Sequence, residues 1–220
     1  MVAYSFRQAK LFISKDLKFL SIVLMINICL LFLLSYIDSS LWSNTPELKI
    51  SYTFAIGLLQ ACSIISLSVR IQKFVQTSQV ESVVLSFRNG FYATPPTMLY
   101  GLLYGVMIVV GTFLLILPGI YISIVFFYAP FLAMFGIEGE DTILNESRKL
   151  AKNNMGITFL FLFLCLFTEF SALGISNLGE KEIFSTSIIF IFHFVNVSLS
   201  LSIQCWFCFY FFNLIKAKAT

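Results

Sequence analysis

Charge is scarce in this chain. Asp, Glu, Lys and Arg make up 11% of its 220 residues, against about 25% in a soluble domain. Histidine occurs once, tryptophan twice and proline five times. With so little charge, a net of +3 gives no support to a nucleic-acid partner. No P-loop, no H-E-x-x-H and no G-x-S-x-G occurs, so the common phosphate-binding, metalloprotease and esterase signatures are missing. The five cysteines, Cys29, Cys62, Cys165, Cys205 and Cys208, all fall inside apolar runs. An odd number in such runs does not read as a disulfide framework. Cys205 and Cys208 have C-x-x-C spacing, but redox work needs an exposed thiol of low pKa, and these sit in an aromatic apolar run. They read as packing residues. No cofactor and no metal is expected.

Apolar residues are what remain. They make up 59% of the chain, with 26 phenylalanines. A chain this short cannot bury that much apolar surface in a water-soluble core, so the excess should face lipid. A crossing needs about 20 mostly apolar residues, and six runs qualify: 19–37, 52–69, 98–117, 120–137, 157–175 and a longer one within 183–214, centred on 186–210. The expected fold is all-α, a polytopic six-helix transmembrane bundle forming one integral membrane domain over 1–220. The first run is too long for a cleaved signal sequence and lacks a small-residue cleavage site, so it reads as a retained span.

Basic residues give the direction. With the N-terminus inside, 12 of the 14 fall in inside segments and only Lys49 and Lys181 fall outside. Both termini are therefore expected on the cytoplasmic side. Leu117-Pro118-Gly119-Ile120 should form the tight outer turn between spans three and four, with glycine taking a left-handed conformation at the helix end. Pro130 should kink span four. Gly101 and Gly105 in span three, with Gly57 and Ala61 in span two, would allow close helix packing, with a homodimer face as the weaker option.

Three inside segments have an amphipathic pattern. Phe6, Ile13 and Leu17 precede span one; Val80, Val83, Val84, Phe87 and Phe91 precede span three; Ile143, Leu150, Ala151 and Met155 precede span five. Each series is expected to form the apolar face of a helix lying in the membrane interface. Arg7, Lys10, Lys15, Lys18, Arg88, Arg148, Lys149 and Lys152 would contact lipid headgroups. The echoes Ser5-Phe6-Arg7, Ser86-Phe87-Arg88 and Ser147-Arg148-Lys149 suggest three copies of a surface helix plus a two-span hairpin.

Ionisable groups inside a span are costly and mark candidate sites. Glu169 in span five and His193 in span six fall at similar depth, and Gln60 in span two could join them. That set would suit a small transporter or permease; a structural hydrogen bond is the plainer reading. No catalytic residue stands out.

The stretch Leu115–Tyr121, with Pro118 and Gly119, continues into Phe127-Tyr128-Ala129-Pro130-Phe131 and then Glu138-Gly139 and Glu146–Gly156. These residues resemble the pattern of the bacterial YciC-like inner-membrane proteins and of the membrane domain attached to some glycerophosphodiester phosphodiesterases. The resemblance covers about residues 80–160. It implies a six-span protein of the bacterial inner membrane with a role in the envelope and no defined activity.

Overall fold

The computed structural model describes residues 1–40, 46–77, 79–114, 116–136, 142–180 and 186–219. Every element among them is a helix: α1 (Val2–Lys15), α2 (Leu17–Ser40), α3 (Pro46–Thr77), α4 (Val83–Leu114), α5 (Ile116–Val125), α6 (Ala129–Met134), α7 (Ile143–Asn153), α8 (Met155–Glu180) and α9 (Thr186–Ala219). Four stretches are long and apolar enough to cross a membrane: 51–77, 83–113, 116–134 and 191–215. The count rises to six if each of two bent pairs, α1 with α2 and α7 with α8, forms one span. Apolar helices of this length and number mark a membrane protein. The chain divides into two compact units, Met1–Gly90 with Thr168–Thr220, and Phe91–Phe167.

In the first unit α1 turns into α2 through 88° at Asp16. The buried face of α1 is Ser5, Ala9 and Phe12, whereas Phe6 and Leu17 are about 60% exposed (58% and 62%). The apolar series of α1 thus faces away from the protein, the side an interfacial helix turns to lipid. Lipid tails accept apolar side chains, so small and polar residues are free to face the protein. The same arrangement occurs at the start of α4, where Val84 and Phe91 are exposed and Ser86 is buried. Phe12 packs edge-on against Phe74 of α3 and Phe209 of α9, at 5.2 and 5.6 Å between ring centroids. Asn213 of α9 donates to Ser5 Oγ and Gln8 Oε1 at 3.1 and 2.8 Å. These contacts dock α1 on the C-terminal half of α9.

That half, from Leu201 to Phe212, carries most of the buried residues of α9. The whole helix is unbroken over 34 residues, about 50 Å at 1.5 Å per residue, so no interfacial segment bends away from the sixth span. Cys205 and Cys208 are buried and unpaired, and Cys208 Sγ lies 3.4 Å from Ser68 Oγ.

Between α3 and α4 the backbones come very close: a Cβ on Gly90 would fall 2.6 Å from Ser66 Cα. Among the described residues no atom lies within 4 Å of a Cβ built on Gly57, Gly101 or Gly105. The expected surface helix at 80–91 is not separate. Its residues form the first turns of α4, which continues through Pro95 and Pro96.

In the second unit α4 ends at Leu114 and α5 begins at Ile116, so Pro118 and Gly119 lie inside α5 and not between the two helices. Pro118 falls in the first turn of α5, where a missing N–H leaves little unpaired. Gly119 serves close approach: a Cβ there would meet the Thr112 backbone nitrogen at 2.9 Å. The left-handed glycine is Gly136, at φ 57° after α6. Pro130 is the second residue of α6, just after the break at 126–128, so span four is interrupted where expected. A second elbow, of 101°, joins α7 to α8.

Candidate functional site

The polar groups in the first unit collect at the α1–α2 elbow. Asp16 ends α1, its backbone N–H bonding the Phe12 carbonyl at 2.9 Å, and its own carbonyl accepts from Leu20 N–H in α2. Its carboxylate meets Arg70 of α3: Arg70 Nε donates to Oδ2 and Nη2 to Oδ1, the latter at 3.0 Å. Arg70 Nη1 also donates to Ser86 Oγ of α4 at 2.8 Å. The guanidinium lies 4.3 Å from the Phe19 ring centroid. Ser86 Oγ in turn donates to Glu81 Oε2 at 3.1 Å, and Glu81 Oε1 accepts from Asn89 Nδ2 at 3.1 Å. Arg70 is 3% exposed and Asp16 5%. A buried charge persists only when paired and hydrogen-bonded, and this arrangement supplies both, tying four helices together. Arg70 is one of the 12 basic residues in the segments expected inside, and the Asp16–Arg70–Ser86 cluster went unread in the sequence. One signal was present: an acid flanked by two lysines just before a span, Lys15-Asp16-Leu17-Lys18.

Deeper in α2, Asn27 Nδ2 donates to Ser63 Oγ at 2.9 Å and to the Val23 carbonyl at 2.8 Å. Of the three residues expected to form a polar site, Gln60 is half-buried on α3, and its carbonyl accepts from Ser63. His193 is half-buried on α9. Among the described residues no hydrogen bond joins the two. The side chain of Glu169 lies outside the described residues. A bridge between α8 and α9 does exist close by: Asn196 Nδ2 donates to the Thr168 carbonyl at 3.2 Å.

The eight basic residues expected at headgroups are all exposed. Arg7, Lys10, Lys15 and Lys18 lie on the α1–α2 elbow, Arg88 on α4, and Arg148, Lys149 and Lys152 on α7. Lys149 pairs with Glu146 at 3.6 Å. On its other face α7 buries Ser147, Leu150 and Ala151, and Ser147 Oγ donates to the Val125 carbonyl at 3.0 Å. This holds α7 against α5 and leaves a groove of ≈ 680 Å³ between them, with polar α7 residues on one side and apolar α5 residues on the other.

The elbows also test the repeat. Asp16 and Asn154 have nearly the same backbone angles (φ −123°, ψ 35° and φ −132°, ψ 30°). Aligning these two places Ser147 opposite Ala9, one helical turn from Ser5. The serine echo is therefore out of register at the elbows, and α4 has no elbow to align. No family model, no characterised protein and no solved structure matches the chain.

Proposed function

We propose that the chain is an integral protein of a bacterial cytoplasmic membrane that maintains or organises the envelope and catalyses no reaction. In this reading it crosses six times, both termini are cytoplasmic, and its partners are membrane lipids. One observation carries it: two basic helices, α1 and α7, leave apolar helices at 88° and 101° with their cations exposed. A helix turned that far from a spanning direction fits the plane of the headgroups, where each Lys or Arg gains about 1 kcal/mol near an anionic surface. The distribution of 12 of 14 basic residues supports the direction, and the YciC-like pattern around Pro118, Gly119 and Pro130 supports the bacterial setting.

The test is complementation. A strain lacking the chain should show a permeable envelope, measured by uptake of a normally excluded dye. The wild-type chain and the Glu169→Gln/His193→Ala double variant should restore the barrier equally. Restoration by the wild type alone would favour a transporter built on Glu169 and His193 and contradict the reading.

A further inference from the structure

The groove between α5 and α7 joins two chemistries. Asn145, Arg148 and Lys152 stand at spacings of three and four, one face of α7, and line its polar side. Tyr121, Ile124 and Met155 line the apolar side. No acid lines the groove among the described residues; Glu146 is spent on Lys149. A site with uncompensated cations against an apolar wall suits an amphiphile with an anionic head. The wall is held open by the Ser147–Val125 bond and the 101° elbow, so the groove exists before any ligand arrives.

We propose that this groove is a specific site for one anionic phospholipid, its phosphate held by Arg148, Lys152 and the Asn145 amide and its first acyl carbons laid along Tyr121, Ile124 and Met155. Arginine offers two parallel N–H donors to phosphate oxygens, and lysine a point charge. The proposal rests on the membrane reading above but goes beyond it: diffuse headgroup contact needs no groove, whereas this site selects head and tail together.

The full-length protein in detergent is titrated with phosphatidylglycerol, phosphatidylcholine or glycerol phosphate, and bound lipid is read by native mass spectrometry. Phosphatidylglycerol should be retained over phosphatidylcholine, and glycerol phosphate alone should not displace it. Arg148→Gln/Lys152→Gln should weaken retention on the order of 30-fold, at about fivefold per cation near an anionic head. Arg148→Lys, which keeps the charge but loses the paired donors, should weaken retention less than Arg148→Gln does. Lys73→Gln, an exposed lysine of α3 outside the groove, should leave it unchanged. Equal loss from Lys73→Gln would mean diffuse charge and overturn the site. Glycerol phosphate binding as tightly as the lipid would identify a free phosphate-ester site and overturn the proposal. Extraction of the wild type from membranes by alkaline carbonate would instead defeat the membrane reading, a result independent of the groove.

Discussion

At Asp16 and at Asn154 the backbone makes nearly the same turn, yet different chemistry holds the two elbows. The first is closed by charge: Asp16 and Arg70 are buried together, with Ser86 and the Phe19 ring completing the guanidinium's shell. The second is closed by neutral bonds. Tyr128 Oη and Thr158 Oγ1 lie 2.8 Å apart, both residues fully buried, and Ser147 bonds the Val125 carbonyl. A buried ion pair is sensitive to loss of either partner, because the survivor keeps its full desolvation cost. A neutral pair loses only a modest net hydrogen bond. The first elbow should therefore be the brittle one.

Arg70→Met breaks the comparison most severely. It leaves Asp16 buried without a cation and should cost about 3–5 kcal/mol in detergent unfolding. Adding Asp16→Asn should recover part of the loss, since it removes the orphaned charge; a double variant as unstable as the sum of the singles would contradict the pairing. Gly90→Ala strikes the same region by sterics. Its Cβ would meet Ser66 backbone, and overpacking of this kind costs about 1–3 kcal/mol. Tyr128→Phe at the second elbow should cost less, about 0.5–1.5 kcal/mol, because Thr158 keeps its bond to the Asn154 carbonyl. If thermal melts rank Tyr128→Phe above Arg70→Met, the contrast between the elbows fails. Gly101→Ala, with open space at its Cβ, should stabilise α4 by about 0.5–1 kcal/mol through helix propensity alone.

Hydropathy and charge made the all-helical, lipid-facing character legible, since runs of apolar residues this long have few other uses. They also located the elbow helices: a basic amphipathic stretch stands before α2 and before α8. The side on which each helix packs was not legible. In water an apolar series such as Phe6, Ile13 and Leu17 marks the core; beside lipid it can mark the outside, and Ser5, Ala9 and Phe12 faced in. Glycine spacing was informative only in part. A G-x-x-x-G spacing says that a close approach is possible, while Gly90 and Gly119, with no such spacing, make the approach. The Asp16–Arg70 pair spans 54 positions, and nothing local in either residue names its partner. Gln60 and His193 were read as a layer from depth alone, which fixes height along a helix but not the direction a side chain faces.

The most direct measurement places the elbows in a bilayer. Lys10→Cys on α1 and Lys152→Cys on α7, in a chain with its five native cysteines replaced by alanine, are labelled with a membrane-impermeant maleimide in intact and in opened bacterial cells. Both positions should be protected in intact cells and react once the cytoplasmic face is opened. Labelling of either position in intact cells would contradict the cytoplasmic placement proposed for α1 and α7.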